Sequence, residues 1–175
     1  MILRPTTRHK KTDRRRSSRQ VIEKSANTRM QTDHDPWTTE LIIASKTEAG
    51  REVVDQILAE MRRRSWPEGD LFSVHLALEE AFANAIKHGN QMDETKSIEV
   101  HCQVGDDQIT IGLKDEGNGF APDHLPDPTL DENLSCPSGR GVMLMRSFMS
   151  VVSYNDAGNS VTMQKQRTTG SDAAE

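Results

Sequence analysis

The spacing of apolar residues along the chain predicts three helices. Apolar positions recur at helical spacing between charged residues over 47–64, which indicates an amphipathic helix. A broad apolar face predicts a second helix over 70–88, with Asp70 as its N-cap and Gly89 as its stop. A short apolar run predicts a third helix over 141–149. Each helix therefore has an apolar face that needs a second layer to cover it.

Alternating or continuous apolar runs predict five strands, over 38–45, 97–104, 108–114, 151–154 and 160–165. Tight turns join the second strand to the third and the fourth to the fifth, giving two hairpins. Helices and strands follow one another without regular alternation, which favours an α+β fold. We expect a two-layer sandwich in which one mixed β-sheet is covered on one face by about three helices. The long segment 116–138 holds four prolines and two glycines, and it is predicted to be a lid.

Charge divides the chain into a tail and a folded part. Residues 1–36 hold ten Lys/Arg and four Asp/Glu and lack aromatic residues, so they are predicted to be a disordered basic extension before a single domain over 37–167. Residues 168–175 are predicted to be a flexible tail. The basic cluster favours a solvated extension over a nucleic-acid contact. Translation from Met30 is an open alternative.

Targeting and redox signals add little to this picture. The chain has no apolar run long enough for a signal peptide or a membrane span, so we expect a cytoplasmic protein that does not bind a membrane. Cys102 and Cys136 fit no metal-binding spacing and no disulfide framework. Both are interpreted as reduced thiols.

The first of three chemically suggestive segments lies on the second predicted helix. Glu80 and Asn84 are one turn apart, so their side chains share a face. The Asn84 amide oxygen suits a hard cation such as Mg²⁺, and Glu80 suits a general base beside a phosphate. Lys87, one turn further on, is placed to add positive charge for a phosphate. Taken alone, this spacing also fits an ordinary helix edge that faces solvent.

The second segment follows a predicted strand. Asp115 ends that strand, and Gly117 and Gly119 come directly after it. An aspartate there can accept a hydrogen bond from the amino group of adenine, while the glycines let the backbone approach the base. Taken alone, the segment also fits a glycine-rich turn with a local aspartate hydrogen bond.

The third segment opens the third predicted helix with Gly139, Arg140 and Gly141. Free backbone N–H groups at a helix N-terminus attract phosphate, and glycines allow close approach. Arg140 either adds positive charge there or faces solvent. One Gly-x-Gly is weak evidence by itself, and the sequence contains neither a P-loop nor a dinucleotide-binding motif.

In this order and spacing, the three segments resemble the ATP-binding domain of the GHKL superfamily, which has the Bergerat fold. This superfamily includes sensor histidine kinases, gyrase-type topoisomerases, ninety-kilodalton chaperones and MutL-type repair proteins. The resemblance covers about residues 38–167. It places Glu80 and Asn84 at the base and magnesium positions of the asparagine box. It places the glycines in two boxes, the first with Asp115, Gly117 and Gly119 and the second with Gly139 and Gly141.

Within the superfamily, segments 78–89 and 138–146 look most like the anti-sigma factor serine kinases of the RsbW and SpoIIAB type. The resemblance implies an ATP- and Mg²⁺-dependent kinase that sequesters a sigma factor. It also implies phosphorylation of a serine on an anti-anti-sigma antagonist, and action as a homodimer. A non-catalytic switch, in which ATP controls partner binding, and a detached sensor histidine kinase module are the alternatives.

Two positions depart from that family pattern. Glu79 stands where a small polar residue is common, and it places a second carboxylate beside Glu80. The base is assigned to Glu80 because Glu80 alone lies four residues before Asn84. The last strand lacks the usual Gly-Thr, and residues 158–160 occupy that place. Ser160 is therefore expected to make the hydrogen bond on the adenine side.

Overall fold

The computed structural model describes residues 35–119 and 141–169, together with the backbone of residues 22–23 and of Arg140. All the predicted helices and strands are present, with their ends shifted by a few residues. The bounds are β1 Ile22–Glu23, β2 Trp37–Ala44, α1 Thr47–Arg63, α2 Glu68–Asn84, a π-helical turn Ala85–Gly89, β3 Ser97–Val104, β4 Gln108–Asp115, α3 Arg140–Phe148, β5 Val151–Tyr154 and β6 Ser160–Gln166. The predicted lid lies mostly outside the described residues, as do Cys136 and most of the basic extension.

The described strands form one sheet in the order β1-β2-β3-β4-β6-β5. The α+β fold class is confirmed, but every described strand pair is antiparallel, so the expectation of a mixed sheet is wrong. Two consecutive helices, α1 and α2, connect β2 to β3. The chain passes along the sheet once in α1 and returns in α2, so it re-enters the sheet at the end where β2 finished. β3 is therefore antiparallel to β2. The two hairpins are antiparallel by construction.

The helices cover one face of the sheet, and the core lies between the two layers. Alternate residues of β3 and β4 are buried beneath the helices, because successive side chains of a strand point to opposite faces of the sheet. The largest fully buried apolar side chains are Ile57, Met61, Leu78, Ile98, Ile109, Ile111, Leu113, Met145 and Met163. Burial of one such side chain is worth about 1.5–3 kcal/mol, so this layer supplies the main stabilisation of the fold. None of the described helices is both long and apolar enough to span a bilayer.

Asp70 has a different role from the predicted N-cap. The helix begins at Glu68, with Pro67 as its N-cap residue, and the carbonyl of Pro67 accepts hydrogen bonds from the N–H groups of Asp70 and Leu71. Asp70 lies inside the first turn and is buried. Its carboxylate accepts hydrogen bonds from the backbone N–H (2.8 Å) and hydroxyl (2.7 Å) of Thr168. The Nζ of Lys165 lies 3.5 Å from the same carboxylate. Asp70 therefore joins the start of α2 to the chain beyond β6.

Candidate functional site

A cavity of about 500 Å³ lies between the end of α2, the start of α3 and the adjoining ends of β4, β5 and β6. Residues from all three predicted segments and from the turn before β6 line it. The lining residues that the sequence had singled out are Glu80, Asn84, Asp115, Gly119, Gly141 and Ser160. Parts of the chain that are far apart in sequence thus share one concave surface, which is the usual form of a small-molecule site.

The α2 side of the cavity carries Glu80 and Asn84, both half-buried and one helical turn apart. The Glu80 carboxylate packs directly over the backbone of Gly141, where any larger side chain would overlap it. Glu80 therefore lies at the N-terminus of α3, where the helix dipole favours negative charge. The same position presents a carboxylate beside the backbone N–H groups that would receive a phosphate.

The π-helical turn brings the chain from α2 to the opposite end of the cavity. In this turn the N–H of Asn90 bonds the carbonyl of Ala85 at 2.7 Å, which widens the last helical turn by one residue. Gly89 then packs against the Asp115 carboxylate, with no room for a Cβ atom between them. Single π-helical turns of this kind occur frequently at functional sites.

Asp115 is fixed by the glycine turn that follows it. The N–H of Gly117 donates a hydrogen bond of 2.8 Å to the carboxylate of Asp115. A Cβ on Gly117 would overlap the carbonyl of Gly89, so both glycines are needed for this close packing. Partial burial raises the pKa of the Asp115 carboxyl above its usual value of 3.8, and the Gly117 hydrogen bond only partly offsets this effect. The result is an oriented acceptor for a hydrogen bond in a half-buried pocket.

Asn90, which sequence reasoning missed, holds this arrangement together. Its side chain is fully buried. The amide nitrogen donates to the carbonyl of Ser97 (2.9 Å), and the amide oxygen accepts from the N–H of Glu116 (2.9 Å). It therefore ties the π-helical turn to the start of β3 and the end of β4. Its position directly after Gly89 was the available signal, since asparagine is common where helices end.

The turn before β6 closes the cavity beside Asp115. The Asn155 side chain accepts hydrogen bonds from the N–H groups of Asn159 and Ser160, both at 3.1 Å. Asn159, also missed from sequence, pairs with Asp115 through their main chains: the N–H of Asp115 donates to the Asn159 carbonyl at 3.0 Å. Gly119 adopts a φ of +72° and packs against the carbonyl of Ala157, which requires glycine.

Not every predicted site residue lies at the cavity. Lys87 is exposed and is not among the residues that line it. Gly117 acts behind Asp115 rather than in the wall. Gly139 and the side chain of Arg140 lie outside the described residues. Tyr154 does line the cavity, although the sequence did not single it out.

The oxygen ligands in the cavity wall suit a hard cation such as Mg²⁺. The described residues contain no group of three His, Cys, Asp or Glu side chains that could hold a metal ion. Mg²⁺ normally takes one or two protein oxygens and completes its shell with water and phosphate. Asn84 lies in the cavity wall, and its amide oxygen is the type of protein ligand that Mg²⁺ accepts. Asn84 therefore fits the predicted magnesium position.

Comparison with known proteins identifies the family. Residues 43–165 match the histidine kinase-like ATPase domain, a stretch that runs from the end of β2 into β6 and includes every described residue that lines the cavity. The chain belongs to this family. It is therefore a GHKL protein, as the three segments predicted, and its similarity within the superfamily is to the RsbW-type group.

Two curated relatives and one solved structure show the extent of this similarity. An anti-sigma F factor of Clostridium perfringens is 31% identical over 110 residues, which are 57% of this chain and 75% of the relative. The serine-protein kinase RsbW of Bacillus licheniformis is 30% identical over 105 residues, or 55% of this chain and 64% of the relative. A crystal structure of RsbU and RsbW domains from Mycobacterium tuberculosis has a TM-score of 0.50 at 16% identity. It covers 75% of this chain and 31% of that longer chain, and it supports the fold.

Proposed function

We propose that this protein is an ATP-dependent serine protein kinase that also acts as an anti-sigma factor. It would sequester a sigma factor and phosphorylate a serine of an anti-anti-sigma antagonist. The observation that carries the proposal is that Glu80, Asn84, Asp115 and Gly141 line one cavity. At one end, such a cavity offers a hydrogen-bond acceptor for adenine. At the other end, it offers a carboxylate that can act as a general base and a helix N-terminus that can bind phosphate.

The Asp115 end would bind adenine. The carboxylate accepts a hydrogen bond from the exocyclic amino group, which distinguishes adenine from guanine because guanine carries a carbonyl oxygen at that position. Gly117 and Gly119 keep the neighbouring backbone close and free of side chains. The N–H of Ser160 already donates a hydrogen bond to the side chain of Asn155. The Ser160 hydroxyl is therefore the group that would form a hydrogen bond on the adenine side.

The Glu80 end would carry the chemistry. Glu80 takes the proton from the attacking serine hydroxyl as the oxygen of that hydroxyl bonds to the γ-phosphorus. The bond from the γ-phosphorus to the bridging oxygen breaks, and ADP leaves with the bonding electrons. The N–H groups at the start of α3 stabilise charge on the phosphate oxygens. Mg²⁺ held by Asn84 would neutralise charge across the phosphates, with Gly139 and Arg140 as further phosphate-side residues.

The partners follow from the relatives rather than from the cavity. One relative is named an anti-sigma factor and another a serine-protein kinase, and they match 57% and 55% of this chain. A protein with both activities needs two protein partners, a sigma factor and a serine-bearing antagonist. We also propose a homodimer that acts in the cytoplasm without membrane or nucleic-acid binding.

A phosphotransfer assay tests the proposal. The purified full chain is incubated with Mg²⁺, γ-labelled ATP and the antagonist encoded nearest to it. The expected result is label on serine, stable in acid. Acid-labile label would instead indicate transfer to histidine and a sensor-kinase module. Tight ATP binding without any transfer would contradict the kinase and favour a non-catalytic switch that ATP controls.

A further inference from the structure

A buried asparagine lies directly behind the Asp115 end of the cavity. The Asn90 side chain is fully buried, and Asn90 is not among the residues that line the cavity. Burial of an amide is unfavourable unless its nitrogen and its oxygen both form hydrogen bonds. Both atoms bond main-chain groups here, the carbonyl of Ser97 and the N–H of Glu116, each at 2.9 Å. An apolar side chain of the same size would leave these two groups without that partner.

Asn90, Ser97 and Glu116 form a closed set of hydrogen bonds. Asn90 bonds the main chain of the other two residues, and the Glu116 carboxylate accepts from the hydroxyl (2.8 Å) and the N–H (3.2 Å) of Ser97. The set joins three separate pieces of chain: the residue after the π-helical turn, the first residue of β3 and the residue after β4. A planar amide keeps its donor and its acceptor at a fixed distance, so Asn90 sets the spacing between the other two pieces.

This set holds the main chain of Asp115 from one side. The peptide unit between Asp115 and Glu116 is planar, so a bond to the Glu116 N–H also orients the carbonyl end of Asp115. Asn159 holds the other side, because its carbonyl accepts from the N–H of Asp115 (3.0 Å) and its amide nitrogen donates to the carbonyl of Asp115 (3.4 Å). Gly117 then bonds the carboxylate itself. Within this group, Asn90 is the residue that links Asp115 to the π-helical turn.

The link to the π-helical turn matters because Gly89, the residue before Asn90, packs against the Asp115 carboxylate. A change in the distance between Asn90 and Glu116 would therefore move the carboxylate relative to the surface on which it rests. We propose that Asn90 is a positioning residue for adenine recognition. It does not touch the nucleotide, but it holds the Asp115 carboxylate in the orientation that accepts a hydrogen bond from the adenine amino group before the nucleotide arrives. This inference rests on the proposed ATP site and adds a residue to it.

The preference for ATP over GTP tests this role, because guanine lacks the amino group that the Asp115 carboxylate would bind. Competition titrations with the full chain and Mg²⁺ compare the wild type, Asn90→Ala and Ile109→Ala. Asn90→Ala should weaken ATP binding about tenfold, as expected for one hydrogen bond to a charged group, and change GTP binding little. Retention of the wild-type preference by Asn90→Ala would overturn the inference, even if the variant unfolds at a lower denaturant concentration.

Ile109→Ala is the control for a loss of stability. Ile109 is fully buried near the other end of β4, the strand that Asp115 ends. Its truncation leaves a cavity in the core and keeps the hydrogen bonds around Asp115. This variant should be less stable than the wild type and keep its preference for ATP. An equal narrowing of the preference in both variants would show that the preference follows stability, which would also overturn the inference.

Hydrogen exchange on the wild type gives a test that does not depend on a variant that folds. Glu116 is exposed, so protection of its amide reports the bond to Asn90. Without nucleotide, this amide should exchange at least about a hundredfold more slowly than in an unfolded peptide. Rapid exchange that slows when ATP is added would show that the nucleotide, rather than Asn90, orders this end of the cavity. Absence of ATP binding by the wild type would instead refute the proposed function itself.

Discussion

At the scale of single residues, two carboxylates in one cavity have different surroundings and therefore suit different tasks. Asp115 is surrounded by backbone: Gly117 donates to it and Gly89 packs against it. Glu80 stands on a helix and faces the start of another helix. The Asp115 carboxylate has a fixed orientation, which suits recognition of adenine. The Glu80 carboxylate lies beside the proposed phosphate site, which suits proton transfer.

Replacement of Glu80 tests the proton-transfer role. Glu80→Gln keeps the size of the side chain, so we expect ATP affinity to persist while transfer to the antagonist falls by a factor of roughly 10²–10⁴. Glu79→Gln is the matched control, because that side chain is 55% exposed and its carboxylate lies 3.4 Å from the imidazole of His75. The comparison uses labelled phosphate transfer and calorimetry on the same preparations. Full transfer by the Glu80 variant would exclude Glu80 as the base.

Asp115→Asn tests base recognition. The variant removes the charge that strengthens the hydrogen bond to the adenine amino group, so ATP should bind about tenfold more weakly. The amide can donate to the carbonyl of guanine, and the preference for ATP over GTP should therefore narrow. Competition titrations measure both effects. Asp156→Asn, which changes an exposed carboxylate in the turn before β6, should keep the wild-type preference; a similar change in both variants would contradict the assignment.

The raised pKa of Asp115 gives a prediction for pH. Because burial raises this pKa above 3.8, the folded protein binds the proton more tightly than the unfolded chain does. The contribution of Asp115 to stability is therefore largest at acid pH and decreases as pH rises through the folded pKa. Adenosine affinity should change in the opposite direction and fall on acidification, since a protonated carboxyl is a poorer acceptor. Adenine itself gains a proton in acid, so Asp115→Asn provides the reference, and an identical pH profile for the two proteins would count against the carboxylate.

At the scale of helices and strands, the sequence predicted what periodicity encodes and missed what depends on long-range contacts. The helices, the strands and the meeting of the three segments follow from spacing and motif order. The antiparallel sheet, the π-helical turn and the role of Asn90 do not, because each is decided by which elements pack together. Asp70 shows the same limit: its place near a helix start suggested a cap, but a distant partner, Thr168, determines its role.

Alanine substitutions at two helix glycines should have different effects. One tests a contact in the proposed site, and the other tests only the higher helix propensity of alanine. Gly141→Ala adds a methyl group that would overlap the Glu80 carboxylate, so both transfer and ATP affinity should fall while adenosine binding persists. Gly69→Ala, in the first turn of α2, meets no atom within 4 Å and should stabilise the protein by up to about 1 kcal/mol. Denaturant unfolding and calorimetry measure the two effects. Equal activity of the two variants would show that contact between Gly141 and Glu80 is not needed.

At the scale of the whole molecule, the chain that follows β6 is tied to the α1–α2 loop and to the turn between β3 and β4. The guanidinium of Arg167 donates to the carbonyls of Asp106 (2.9 Å) and Ser65, and it lies 5.9 Å from the centre of the Trp66 ring. Together with the bonds from Thr168 to Asp70, these contacts join the chain after β6 to the start of α2. The predicted domain boundary after residue 167 divides this set of contacts.

Two truncations test where the folded unit ends. A chain that stops after Thr168 keeps both sets of contacts and should unfold at the same denaturant concentration as the full chain. A chain that stops after Gln166 leaves the buried Asp70 carboxylate without its Thr168 donors and removes the Arg167 contacts with the loops, so it should lose roughly 1.5–3 kcal/mol of stability. The cavity lies at the other end of α2, so ATP affinity should survive in any fraction that remains folded. Equal stability of the two truncated chains would place the boundary before Arg167 and show that the contacts beyond β6 are dispensable.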